Sequence, residues 1–284
     1  MLRDAITNSE IKKIFSNQEL KTEYMVNLLE IIGSNESVSR TKAGIDRQIE
    51  ATWNYELSKG ILRRLFQASD KYFSFLNCGN EIDNAIRQWN ELGYGELSWP
   101  FAAMNFDDRV HRINNSNLSE EEKDQLIASE VIKFRRIKDI NAKRNNYIEY
   151  LTFENNDNVI PTFKNNKGVD FYINGEPYDQ KVSKSVGNAF IKEHGQNYRQ
   201  IAIERPELVA KSLYENQDED RFGDEPRLFV VYLDNDVSAE TTRDIIINTN
   251  FVEPIHIEFD YLHSKTNWIH HSTHCFIVLW SGII

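Results

Sequence analysis

Two aspartates and a lysine between positions 170 and 181 are the residues most suited to chemistry, and that chemistry is metal-assisted hydrolysis. Val169–Ile173 and Pro177–Val182 flank Asn174-Gly175, the strongest short-range hairpin signal, because both central residues of a type I′ turn need positive φ. A two-residue turn fixes the register. Ile173 opposes Glu176, Tyr172 opposes Pro177, Phe171 opposes Tyr178, and Asp170 opposes Asp179. Opposed residues share a face with Cβ atoms about 4.5–5.5 Å apart. Lys181, two residues past Asp179, lies on that face too. Opposed carboxylates repel, and a hard divalent cation such as Mg²⁺ would offset the repulsion while keeping positions for water and phosphate oxygens. Lys181 would supply positive charge beside an attacking water, as phosphodiester hydrolysis requires. Pro177 falls at a non-hydrogen-bonded pair, where its missing N–H points away from the partner strand.

Asp170, eight intervening residues, then Asp179-Gln180-Lys181 resembles the PD-(D/E)XK nuclease superfamily, best known from type II restriction endonucleases. Val169 stands where that pattern has proline, and Asp179 where glutamate is commoner. The likeness spans about Tyr147 to Leu233. It implies that Asp170 and Asp179 bind Mg²⁺ and that Lys181 positions or deprotonates the attacking water. It also implies a glutamate on the preceding helix, here Glu149, with Glu154 as the alternative. The implied protein is a homodimeric, sequence-specific double-strand DNA endonuclease leaving 5′-phosphate ends. The implied fold is α/β (α+β), a restriction-endonuclease-like central mixed sheet flanked by helices. Alternatives are a repair, phage-defence or structure-specific nuclease of the same fold, or a non-catalytic DNA-binding or interaction protein. Glu10-Ile11-Lys12 and Glu121-Glu122-Lys123 also fit acid-x-lysine, but both look helical.

Beyond the hairpin, Ser183 and Lys184 are candidates for phosphate contacts. Gln196, Asn197, Arg199 and Gln200 are candidates for base contacts, since Arg, Asn and Gln read base edges bidentately. The plainer reading is a polar connector to the helix that Pro206 starts. His256, His263, His270, His271 and His274 match no standard zinc spacing.

A net charge of −11 argues against indiscriminate nucleic-acid binding. Base is concentrated between 131 and 145, in Lys133, Arg135, Arg136, Lys138, Lys143 and Arg144: a local basic surface or a solvated helix face. Cys78 and Cys275 are too few and too far apart for a disulfide framework or a cysteine zinc site. No apolar run is long enough to span a membrane. The N-terminus lacks the apolar run of a signal peptide, so the expected location is cytoplasmic.

The elements that must position the hairpin follow from periodicity. Residues 1–118 read as a mainly helical region for dimerisation or DNA clamping, and 119–284 as the catalytic domain. Ile11–Ile32, Ile49–Leu76 and Asn80–Leu92 carry helical spacing, with Arg63 and Arg64 on a polar side and Gly79 and Gly93 as breaks. Gly93–Asn105 is loop-like. Ser119 and Glu122 form a capping box, and Ile127, Val131 and Phe134 continue that helix. Leu228–Leu233, Ile255–Phe259 and Cys275–Trp280 read as strands, and Ser238–Ile247 as a helix.

Overall fold

Side-chain oxygens start the first helices: α1 (Asn8–Ile14), α2 (Gln18–Ile31), α3 (Lys42–Thr52), α4 (Tyr55–Gln67) and α5 (Asp70–Leu76). Thr7, Asn17, Thr41, Asn54 and Ser69 each accept a hydrogen bond from the backbone N–H three residues on, satisfying donors that a helix start leaves orphaned. These caps divide the long helical stretches expected over Ile11–Ile32 and Ile49–Leu76 into shorter helices. The computed structural model describes residues 1–94, 103–183, 185–218, 222–233, 239–264 and 266–280, with backbone alone at 103–105. Most of the loop expected over Gly93–Asn105 lies outside the described residues.

Next come α6 (Cys78–Glu91), α7 (Ala103–Asn114) and α8 (Glu120–Glu154). Gly79 is not a break but sits inside α6, where an added Cβ would stand 3.2 Å from the Tyr147 ring, so it permits close packing on α8. Ser119 and Glu122 form the expected capping box. Ile137, Ile140, Arg144, Tyr147, Ile148 and Leu151 are buried at three- and four-residue spacing along α8. Part of the basic run on this helix is paired, within α8 or across to α6. Lys133 pairs with Glu130, Arg136 donates to Gln88, Lys143 pairs with Glu81, and Arg144 is fully buried. Arg135 and Lys138 are exposed.

Arg63 is not a solvated charge. Its guanidinium donates to the carbonyls of Phe153 (3.1 Å), Asn156 (2.9 Å) and Val159 (2.9 Å). It thereby satisfies acceptors at the C-terminal end of α8 and fastens α4 to the start of the sheet.

Among the described residues the sheet has six strands: β1 (Val159–Pro161), β2 (Phe171–Ile173), β3 (Glu176–Ser183), β4 (Arg227–Tyr232), β5 (Ile255–His263) and β6 (Asn267–Trp280), in the order β1-β2-β3-β4-β6-β5. The β1-β2-β3 meander is antiparallel, β4 runs parallel to β3 and β6, and β5 is antiparallel to β6. Between β3 and β4 the chain forms α9 (Asn188–His194), a turn at Gly195–Asn197, α10 (Tyr198–Glu204) and α11 (Pro206–Glu215), more regular than a polar connector. Between β4 and β5 lies α12 (Ala239–Asn248). β4 is buried throughout, as its continuous apolar run demands.

Two apolar layers sandwich this mixed sheet. Leu228, Val230, Phe276 and Val278 face a core shared with α8, α12 and the N-terminal helices. Phe229, Val231 and Cys275 face a second core with Phe190, Val209 and Tyr214 of α9 and α11. The first core holds residues from both sides of position 118, such as Leu28, Ile61, Ile148 and Tyr172. The fold is therefore mixed α+β, with a helical N-terminal region packed on one face of a central sheet. Among the described residues no helix is long and apolar enough to cross a membrane.

Candidate active site

The hairpin turn forms as the dipeptide requires, with φ of 54° at Asn174 and 85° at Gly175. The register pairs Ile173 with Glu176, Tyr172 with Pro177 and Phe171 with Tyr178. The strands fork one residue further on. The Asp170 N–H donates to the Tyr178 carbonyl at 2.8 Å, while the Asp179 N–H donates to the Pro226 carbonyl at 3.1 Å. From Asp179 onward β3 takes β4 as its parallel partner. Asp170 and Asp179 thus flank the point where β3 exchanges one neighbour for another.

Each acid is held by different contacts. An Asp170 carboxylate oxygen accepts the Gln180 N–H at 2.7 Å, and the Gln180 side chain donates to the Asn145 carbonyl of α8 at 3.0 Å. Asp179 is 6 % exposed. Lys181 Nζ stands 2.6 Å from Asp179 Oδ2 as an ion pair, and Arg227 Nε stands 3.8 Å from it. Among the described residues neither Asp179 Oδ2 nor Arg227 Nε finds an aligned hydrogen bond, although both atoms are buried. Arg227 is further held by Glu225 at 3.5 Å and lies over the Tyr214 ring.

Glu149 approaches from α8. Its carboxylate accepts from Lys71 Nζ of α5 at 2.6 Å, and the same ammonium donates to the Thr162 carbonyl at 3.0 Å. Burial drives the Glu149 pKa up to about 7; the Lys71 charge opposes this and the Asp170 charge adds to it. Burial also raises the Asp170 pKa, the Gln180 N–H opposes the rise, and the Asp179 charge adds to it. Glu149 and Asp170 therefore sense one another across the helix–sheet junction. Glu154, five residues further along α8, points elsewhere and accepts from the Tyr72 hydroxyl at 3.1 Å.

This charge pattern suits a divalent cation. Carboxyls are crowded into a poorly solvated place, which disfavours their charged forms. One buried carboxylate oxygen lacks an aligned donor, and lysine ammonium groups stand against two of the acids. Among the described residues no three acid, histidine or cysteine side chains are already grouped as a metal cage. Mg²⁺ does not require one, because it binds through one or two carboxylates and fills its octahedron with water and substrate phosphate.

The remaining candidates are more dispersed. The Ser183 hydroxyl ends β3 and donates to the Ser185 carbonyl at 2.7 Å; Lys184 lies outside the described residues. Gln196 and Asn197 are exposed on the turn before α10. Gln200 is exposed and donates to Glu204 at 2.8 Å. Arg199 is half-buried and donates to the Leu233 carbonyl at 3.0 Å, tying α10 to the end of β4.

Lys71 and Arg227 belong to the site's surroundings and were not singled out in the sequence. Lys71 lies 78 positions before its partner, with no local motif to mark it. Arg227 had one signal, a lone cation opening an apolar strand that the fold buries. No protein-family model matches this chain, and no curated protein or solved structure matches it either.

Proposed function

We propose that this chain is a Mg²⁺-dependent endonuclease that cuts double-stranded DNA at a specific sequence, acting as a homodimer in the manner of a type II restriction enzyme. The observation that carries the reading is the fork at Asp170 and Asp179. There two acids, Lys181 and the helix-borne Glu149 come within electrostatic range of one another. The match of this grouping to the sequence likeness, acid-hairpin-acid-x-lysine after a helix, supports the same reading.

Asp170 and Asp179 would hold Mg²⁺, with Glu149 beside them; the ion would supply Lewis-acid polarisation of the scissile phosphate. Lys181 is half-exposed, so its ammonium can leave Asp179 and meet the substrate. There it orients the attacking water and balances charge developing on the phosphate oxygens. Arg227 places a buried positive charge 3.8 Å from Asp179 from within the fold. Lys71 holds Glu149 in place and partly offsets the burial that would keep it protonated.

The test is incubation of wild type and Asp179→Ala with plasmid and phage DNA, with Mg²⁺, with Mn²⁺ and with EDTA. Discrete fragments from the wild type alone, abolished by EDTA, are expected, and end-mapping should find 5′-phosphates. Cleavage unchanged in Asp179→Ala, or no cleavage of any DNA with either metal, overturns the proposal. Smeared or flap-specific products would move it to a repair or structure-specific nuclease.

A further inference from the structure

The β5–β6 hairpin brings together histidines that the sequence scatters. His263 and His271 lie on the buried-side face of the two strands, and their Nε2 atoms are 3.2 Å apart. Two nitrogens bound to one tetrahedral zinc, each at about 2.0–2.1 Å, stand roughly 3.3 Å from each other. The other ring nitrogen of His271, Nδ1, is 3.0 Å from Asp224 Oδ2. A carboxylate there fixes the proton on Nδ1 and leaves the Nε2 lone pair for a metal, the usual outer-shell arrangement of a metal-bound histidine.

The rings are also held in place. His271 stacks on Phe259, with centroids 5.2 Å apart and planes 18° apart. Phe222 packs against both His263 and His271, at 4.5 and 5.0 Å, and Tyr261 against His263 at 4.8 Å. The site borders solvent: the His271 side chain is 11 % exposed and that of Asp224 59 %.

We propose that His263 and His271 form a transition-metal site of the zinc class, with Asp224 orienting His271 and water completing the coordination shell. Imidazole nitrogens favour Zn²⁺, Ni²⁺ or Cu²⁺ over Mg²⁺, so this site is separate in chemistry from the Asp170–Asp179 fork and does not rest on the nuclease reading. With two protein ligands it is an open site, and its affinity is correspondingly modest. The segment it fixes leads straight to the fork. After Asp224 come Glu225, which pairs with Arg227, and Pro226, whose carbonyl accepts the Asp179 N–H. A bound ion would brace that segment.

The experiment is calorimetric titration of the EDTA-stripped, dialysed full chain with Zn²⁺ in excess Mg²⁺, repeated with Co²⁺ to read its visible absorption. One saturable site per chain is expected. Its affinity should fall at least tenfold in His263→Gln and in His271→Ala, and about tenfold in Asp224→Asn. His256→Ala and His274→Ala should bind like wild type. His263→Gln guards against loss of the Phe259 stack in His271→Ala, and both melting curves are recorded. Absence of saturable binding, or equal affinity in wild type and His263→Gln, overturns the proposal and leaves a hydrogen-bonded histidine pair. DNA cleavage is not a readout, so failure here leaves the nuclease proposal standing, and the reverse.

Discussion

Lys71 donates to Glu149 at 2.6 Å, so the helical N-terminal region places a cation beside the acid that approaches the β2–β3 fork. The Lys71 charge is the largest influence opposing the burial that raises Glu149. Replacing Lys71 with methionine keeps the stem's packing and removes that charge. The Glu149 midpoint should then move above 7, by on the order of one pH unit. A carboxyl-carbon NMR titration of the metal-free protein reads this directly. An unmoved midpoint would show that the ammonium does not set the acid's charge, and that Lys71 serves packing alone.

The same raised pKa has a consequence for stability. An unfolded glutamate titrates near 4.3, and Glu149 in the fold at about 7, so between these values the folded chain holds the extra proton. The favourable contribution is complete below the lower value and is lost as pH rises through the higher one. In EDTA, wild type should therefore lose stability relative to Glu149→Gln between about pH 4 and pH 7, by on the order of 2–4 kcal/mol. Urea unfolding of both proteins at pH 5 and pH 8 gives the difference. A gap that does not change with pH would mean that Glu149 is already ionised at pH 5.

Much of the fork is legible in the sequence, for local reasons. Asn174-Gly175 dictates a two-residue turn, and that turn dictates which residues face one another, so the register from Phe171 to Tyr178 follows from short-range rules. The same rules extend the ladder to Asp170 and Asp179, one pair further than the strands run. A neighbouring strand claims the Asp179 N–H at Pro226, and a hairpin in isolation carries no information about that strand. The capping box at Ser119 was legible for the same local reason. Lys71, Arg63 and the facing of His263 with His271 were not, because each contact joins segments whose approach is set by the packed fold. Periodicity alone puts Arg63 on a polar face, since it cannot distinguish a solvated guanidinium from one that closes a helix end.

Lys21 and Asp46 form an ion pair between α2 and α3 with both side chains 5 % exposed. A lone charge left at such a site keeps its full desolvation cost. Asp46→Ala, which strands the ammonium, should therefore destabilise the protein by about 3–5 kcal/mol. The double variant Lys21→Met, Asp46→Leu should recover most of that loss, because apolar side chains of similar volume need no partner. Denaturant midpoints of the wild type, the single variant and the double variant decide it. Equal losses in the single and double variants would place the stabilisation in side-chain shape, not in charge.

Gly175 offers the sharpest test of how the turn is held. Its φ is 85°, a region that costs a residue with a Cβ about 1–3 kcal/mol. An added Cβ would also stand 3.1 Å from the Arg3 backbone nitrogen and 3.4 Å from the Tyr55 ring. The space is tight because the N-terminal segment lies over the turn. The Leu2 N–H donates to the Gly175 carbonyl at 2.9 Å, and the Trp53 indole donates to the Leu2 carbonyl at 2.7 Å. Gly175→Ala should therefore be destabilised by about 2 kcal/mol through backbone strain and displacement of Arg3. Asn174→Gly should add no backbone strain, since glycine readily adopts the φ of 54° that asparagine already holds there. It should lose instead the side-chain hydrogen bonds of Asn174 with Arg3, Asn158 and the Val252 carbonyl, while leaving Leu2 protected. Thermal melts of the two variants measure the contrast, and amide exchange at Leu2 shows whether the N-terminal segment has lifted from the turn. Should Gly175→Ala melt like wild type with Leu2 still protected, neither the turn conformation nor its cover by the N-terminus constrains the hairpin that carries Asp170 and Asp179.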